Sequence, residues 1–116
     1  MALEQTFSLF SGNDAKLSVT LTDADTGEAL NLTGTLELVW ALAKNAQATA
    51  LLTKTLGAGV VITDASAGIV EVTLDAADTE PLKGTFYQEM RLTNSVGKKS
   101  TLLYGEVEIL GNLIRS

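Results

Sequence analysis

The chain lacks both histidine and cysteine, and it contains a single proline, Pro81. Without cysteine it can form no disulfide, no thiol nucleophile and no thiolate zinc site. Without histidine a serine or threonine nucleophile lacks its usual base, and no motif supplies a lysine in that role. We therefore expect no catalytic residue, no metal ligand and no cofactor, and a protein that is not an enzyme.

Aromatic and basic residues are also scarce. Aromatics make up 5% of the 116 residues and hydrophobic residues 46%, so the core must consist of aliphatic side chains around Trp40 and Phe86. The chain has eight basic and 14 acidic residues, which gives a formal charge of -6. Among the basic residues, only Lys98 and Lys99 are adjacent in the sequence. This pattern argues against nucleic acid as a partner, because phosphates require a clustered basic face.

The length and the distribution of apolar residues set the domain organisation. A chain of 116 residues fits one domain, residues 1–116, that holds a core without disulfides. No stretch of about 18 apolar residues is present, so we expect no membrane insertion. The first residues lack the basic end and apolar stretch of a signal peptide, which predicts synthesis in the cytoplasm.

Apolar residues alternate with polar ones along most of the chain, which is the pattern of half-buried strands. The predicted strands lie within residues 17–22, 29–32, 35–43, 51–55, 60–63, 69–74, 86–92 and 103–109. Between the sixth and seventh, Asp75 is a helix N-cap candidate and Pro81 a stop, which predicts one helical turn near 75–82. The fold class is therefore all-β, an antiparallel β-sandwich of about eight strands.

The last two strands predict a hairpin with a defined register. A two-residue turn at residues 97–98 suits glycine in its first position. The apolar residues of one strand have even numbers and those of the other have odd numbers. The numbers of two residues that face each other across the hairpin must therefore add up to an odd total. The predicted turn makes that sum 195, which sets Leu92 opposite Leu103 and Glu89 opposite Glu106.

Two surfaces of this sandwich are candidates for contact with a partner. On the outer face of the hairpin, Tyr87, Arg91 and Tyr104 form either a recognition patch or ordinary cross-strand packing. The strand over 35–43 is apolar on both faces, so it is central or covered by a partner.

The two ends of the chain are more apolar than free ends need to be. They either finish the edges of the sandwich or dock on another subunit or protein. The candidate interface residues are Phe7, Leu9, Val39, Ala41, Tyr87, Arg91, Tyr104, Leu113 and Ile114.

Two acidic segments invite a chemical interpretation. Residues 23–28 begin like a calcium loop, but the twelfth position holds Gly34 where a bidentate glutamate belongs, which favours a capped turn. Asp75, Asp78 and Glu80 could form a paired-carboxylate site for hydrolysis. No aromatic platform for a sugar lies nearby, and capping and the helix dipole predict acidic residues at the start of a helical turn, which favours the capping role.

Five segments, residues 10–14, 21–34, 62–70, 74–78 and 84–92, follow one another as turn and strand patterns. In their order the chain resembles the N-terminal domain of the phage baseplate upper protein and related small prophage tail proteins. The resemblance implies an immunoglobulin-like sandwich that serves as a non-enzymatic structural or docking module of a virion. It carries over no catalytic residues.

The same resemblance implies a location and partners. The protein would be made in the bacterial cytoplasm and incorporated into the tail or baseplate, where it contacts other tail proteins or copies of itself in a homo-oligomer. The alternative is a carbohydrate or host-surface binding module. That role requires an exposed aromatic cluster on loops, whereas Trp40, Tyr87 and Tyr104 all lie within predicted strands.

Overall fold

The computed structural model describes residues 3–22 and 26–111, which form strands joined by turns and one helical turn. The strands are β1 (Leu3–Glu4), β2 (Phe7–Phe10), β3 (Ala15–Thr20), β4 (Glu37–Ala43), β5 (Leu52–Leu56), β6 (Gly59–Asp64), β7 (Ile69–Leu74), β8 (Gly84–Thr93) and β9 (Lys99–Leu110). The helix is α1 (Ala76–Thr79). The all-β class and the helical turn near 75–82 are confirmed.

The strands form two layers. The front sheet has the order β9-β8-β4-β5, with β1 and β2 both paired in parallel along the outer edge of β9. The back sheet has the order β6-β7-β3. The chain passes from front to back where β5 and β6 run side by side, with Thr55 opposite Gly59 and Leu56 opposite Val60.

This strand order is that of the immunoglobulin fold. Such sandwiches pair strands G, F and C, extended by C′ in the variable type, against strands B, E and D. With β3 as B, the front sheet follows G-F-C-C′ and the back sheet follows D-E-B. Trp40 lies fully buried on β4, the strand on which that fold carries its buried tryptophan. The expected immunoglobulin-like sandwich is confirmed.

The core lies between the two sheets and is aliphatic apart from Trp40, Phe86 and Met90. Leu17, Val19 and Leu21 share its face as the alternation predicts, each at most 5% exposed. The main aliphatic members are Leu38, Leu42, Val60, Val70, Val72, Leu74, Leu103, Val107 and Ile109.

A buried amide, that of Gln88 on β8, fastens the N-terminal strands to this core. Trp40 Nε1 donates to Gln88 Oε1 at 2.9 Å, and Gln88 Nε2 donates to the Gln5 carbonyl oxygen at 2.8 Å. Gln5 lies between β1 and β2, and its backbone passes over Gly105, where a Cβ would collide with the Gln5 carbonyl. Glycine is therefore required at 105, where φ is +149°.

The register of the last hairpin differs from the prediction. From Gly84 to Met90, the numbers of two paired residues add up to 193. The prediction of an odd total is therefore correct, but the predicted value of 195 is wrong. The turn is longer than two residues: Asn94 N donates to the Lys98 carbonyl at 2.9 Å and Gly97 has a φ of +85°. This is a three-residue loop that ends in a glycine bulge. With this loop, the numbers of two paired residues add up to 192 near the turn.

A β-bulge restores the odd parity along the rest of the hairpin. Met90 pairs with Leu103 while the next residue, Arg91, pairs with Thr101, which leaves Leu102 unpaired. The adjacent apolar residues Leu102 and Leu103 break the alternation at this point, and this break marks the position of the bulge in the sequence.

The strand predicted at 29–32 is wrong, since only an isolated bridge joins Thr22 to Ala29. The side chain of Asn31 accepts the N–H of Thr33 at 2.9 Å, which turns the backbone away from an extended path. Leu32 is nevertheless 2% exposed and anchors this loop in the core.

Replacing Gln88 by leucine should lower the free energy of unfolding by about 2–4 kcal/mol. The Trp40 N–H and the Gln5 carbonyl would then be buried without partners, each costing about 1–3 kcal/mol. Denaturant titration followed by circular dichroism measures the change, with Gln47→Leu at an exposed position as control.

A double-mutant cycle separates this effect from simple repacking. Gln88→Leu should cost less in a Trp40→Phe background than in the wild type, because the orphaned indole N–H is then absent. Equal costs in the two backgrounds would contradict the bridging role of Gln88.

Candidate protein-binding surface

The front sheet brings five of the predicted interface residues together on its outward side, which we call the front face. Val39 of β4 pairs with Arg91 of β8, and Ala41 pairs with Glu89, which in turn pairs with Tyr104 of β9. Two residues further along each of these strands, where the side chains point outward again, Ala43 pairs with Tyr87. These side chains are contiguous because β4, β8 and β9 are adjacent and their outward positions lie in register.

Apolar side chains occupy the centre of the front face. Val39 and Ala41 are half-buried, and Ala43 is 8% exposed. Strand β4 has neighbours on both sides, β5 and β8, so it is central, as its two apolar faces predict. Its outward side nevertheless carries no polar residue between Glu37 and Lys44, unlike a strand whose outer side faces water.

Tyr87 and Tyr104 lie on neighbouring strands of the front face, one step apart in register. The hydroxyl of Tyr87 donates to Glu89 Oε1 at 3.2 Å. Burial raises the pKa of Tyr87 above its ordinary value of 10.0, and the Glu89 carboxylate adds to the rise by its charge and its hydrogen bond. The phenol is therefore held neutral, with its ring available for contact.

Charged side chains surround this centre. Glu37, Glu89, Arg91, Lys99, Glu106 and Glu108 are all exposed at outward positions of the front sheet. Within residues 3–22 and 26–111 the structure contains one ion pair, between Lys54 and Asp78. Arg91 and Lys99 thus have no ion-pair partner in this part of the chain, and their charges are available to another molecule.

The N-terminal candidates do not belong to the front face. Phe7 pairs with Val107 and Leu9 with Ile109, both of which point inward. Leu9 is 8% exposed and Phe7 is partly buried against the core, so the prediction that they contact a partner is not supported by their position. They finish the edge of the sandwich, which is the other possibility for the N-terminal end. Leu113 and Ile114 lie outside the described residues.

Two further apolar residues of the chain ends, Phe10 and Leu110, lie on the outward side of the front sheet. Phe10 is 50% exposed and Leu110 is 38% exposed, and the two pair across β2 and β9 at the far end of this sheet. Sequence reasoning missed one front-face residue, Lys99, because the wrong turn length hid its pairing with Thr93.

The acidic segment around α1 has a structural role. Lys54 Nζ lies 2.9 Å from Asp78 Oδ2, and the backbone N–H of Asp75 donates to the same carboxylate at 2.8 Å. The hydrogen bond from Lys54, and then that from Asp75, lower the pKa of Asp78 below its ordinary value of 3.8. Asp14 Oδ1 accepts the N–H of Ala76 at 2.7 Å. These carboxylates hold the first turn of α1 in place.

No metal-binding cluster of three or more acidic, histidine or cysteine side chains occurs among the residues that the structure describes. Three members of the calcium-loop-like segment, at positions 23–25, lie outside them. The helix that is described, α1, is far too short to cross a membrane.

Comparisons with known proteins add only distant likenesses. No family model matches the chain, and no curated protein sequence does. Among solved structures, murine CRIg matches with 9% identity and a TM-score of 0.46, over 94% of this chain and 92% of that one. AggA, the major subunit of aggregative adherence fimbriae type I from Escherichia coli, matches with 14% identity and a TM-score of 0.35, over 91% and 89%. At these scores neither protein's role transfers to this chain.

The environment of Tyr87 predicts its titration. In a Tyr104→Phe variant, where Tyr87 is the remaining tyrosine, tyrosinate absorbance should develop at a pH above the usual value of about 10. Adding Glu89→Gln should lower that midpoint, whereas Glu71→Gln on the back sheet should leave it unchanged. An unshifted midpoint in the Tyr104→Phe variant would contradict the burial described here.

The sign of the linked stability follows from the raised pKa. The stabilisation that neutral Tyr87 contributes is complete below the pKa of the unfolded chain. It is lost as the pH rises through the higher pKa of the folded protein.

Proposed function

We propose that the chain is a non-enzymatic structural protein of a phage or prophage tail or baseplate, which works by docking its front face on another protein. That protein is another tail component or a further copy of the chain. The observation that carries the proposal is the apolar centre of the front face, Val39, Ala41 and Ala43, flanked by Tyr87 and Tyr104.

The back sheet provides the contrast that supports this choice of surface. Its outward side carries mainly hydroxyl and charged side chains, and one exposed apolar residue, Val61 at 50%. The outward positions there are Lys16, Ser18, Thr20, Val61, Thr63, Ile69, Glu71 and Thr73, of which Ile69 is half-buried. Such a surface is stable in water, whereas an apolar strip ringed by charges and tyrosines has the composition of a protein interface.

The assignment to a phage tail rests on the resemblance of the five segments between residues 10 and 92. Those segments include β8 (Gly84–Thr93), which contributes Tyr87, Glu89 and Arg91 to the front face. A structural role is consistent with the chemistry of the described residues, whose carboxylates cap turns or lie exposed on strands. Location in the virion and the absence of catalysis follow as parts of the same proposal.

A second candidate function, binding of carbohydrate or a host surface, draws on Tyr87 and Tyr104. Diagonal neighbours on adjacent strands lie close enough for their rings to form one platform. Binding of defined oligosaccharides on a glycan array, lost in Tyr104→Ala, would favour this function over docking.

Incorporation into particles tests the proposal. In a lysogen that encodes the chain, the wild-type protein should sediment with purified particles, and Ala41→Arg should remove it from them because a cation then interrupts the apolar centre. Ser18→Arg, the same change on the exposed outer side of β3, should leave incorporation intact. Circular dichroism of both purified variants establishes that they fold.

Two results would contradict the proposal. The wild-type chain could remain in the soluble fraction when particles are isolated, or Ala41→Arg could be incorporated as fully as Ser18→Arg. The first outcome opposes the location, and the second opposes the front face as the docking surface.

A further inference from the structure

The charges of the front face are separated along the strand direction. The end near the β8–β9 turn carries Arg91, Lys98 and Lys99, together with one acidic residue, Glu37. The remainder of the face is acidic, with Glu4, Glu89, Glu106 and Glu108. Among the described residues the front face therefore has a basic end and an acidic end on either side of its apolar centre.

Strand pairing arranges these side chains in rows that cross the sheet. Counted from the turn, the rows are Lys99, Thr93 and Glu37; then Thr101, Arg91, Val39 and Thr55; then Tyr104, Glu89, Ala41 and Thr53; then Glu106, Tyr87 and Ala43. Val39 and Ala41 of the apolar centre lie in the second and third rows, where the sign of the charge on β8 changes from Arg91 to Glu89, and Ala43 lies in the fourth row.

We propose that the front face docks on the front face of a second copy, about a twofold axis that lies in the interface and crosses the strands between the second and third rows. This inference rests on the proposed function and identifies the docking partner as a second copy of the chain. The rotation reverses the strand direction and lays each strand over its counterpart. Arg91 then faces Glu89 of the second copy, Lys99 faces Glu106, and Val39 faces Ala41.

Each of these contacts occurs twice, because a twofold interface uses the same patch on both subunits. The apolar side chains supply the buried centre, and the ion pairs at its border set the orientation, since like charges placed opposite each other are costly. A twofold axis parallel to the strands would instead lay the acidic rows of the two copies over each other. A purely basic partner would match the acidic end and oppose Arg91 and Lys99.

Charge reversal on β8 tests this geometry. Light scattering coupled to size exclusion, over a dilution series, should give the wild type twice the mass of the chain at high concentration. Arg91→Glu alone and Glu89→Arg alone should each weaken the dimer by at least about tenfold, because each variant sets like charges opposite each other. Lys16→Glu, at an exposed position on β3, is the matched control and should dimerise as the wild type does.

The two variants should complement each other. Mixed together, the Arg91→Glu chain has two acidic positions and the Glu89→Arg chain two basic ones, so a heterodimer satisfies both contacts and should regain the wild-type affinity. The double variant Arg91→Glu/Glu89→Arg should also dimerise with itself. Thermal unfolding by circular dichroism confirms that each single variant is folded before its mass is interpreted.

The outcomes separate this inference from the proposed function. A wild type that stays monomeric at every concentration, or single variants that dimerise normally, overturns the twofold geometry. Loss of dimer in both single variants without rescue by mixing also overturns it. Particle incorporation that depends on Ala41 would still support docking of the front face on a different tail protein.

Discussion

The side-chain amide of Gln88 is the interaction on which the arrangement of the front sheet depends. Antibody domains pack their buried tryptophan against a disulfide between strands B and F, and a chain without cysteine must hold that centre differently. Here Gln88, on the F-equivalent strand β8, accepts the indole N–H of Trp40 and donates to the carbonyl of Gln5. The bridge connects β4, β8 and the N-terminal strands, which cover the edge of β9 that would otherwise be free to pair with other chains.

The same strand carries the surface that we assign to partner binding. Phe86, Gln88 and Met90 point inward from β8 and are at most 5% exposed, so the residues between them must point outward. A shift of one residue would exchange the two sets. Packing in the core therefore determines the position of Tyr87, Glu89 and Arg91 on the front face, and the Leu102 bulge lets a three-residue turn coexist with that register.

Much of the fold could be predicted from the sequence, because alternation directly encodes which side chains face a core. The strand containing Trp40, the β6–β7 hairpin and the turn at Asp75 are present as expected. The predicted register of the last hairpin was wrong by two positions, because the length of the turn depends on the side-chain acceptor of Asn94, which alternation does not encode. The Gln5 contact could not be foreseen because it joins residues 83 positions apart through a backbone carbonyl. For the proposed interface, the pattern predicted Val39, Ala41, Tyr87, Arg91 and Tyr104, which lie at outward positions of adjacent strands. Leu9 shows that an apolar terminus can simply complete a core.

The most direct test of the front face is a set of amide NMR spectra of the wild-type chain recorded over a dilution series. If copies associate through this face, signals of residues 39, 41, 89, 91 and 104 should shift with concentration, and those of Ser18, Thr20 and Glu71 on the back sheet should stay constant. Shifts that concentrate on the back sheet, or spectra that do not change with concentration, would contradict association through the front face.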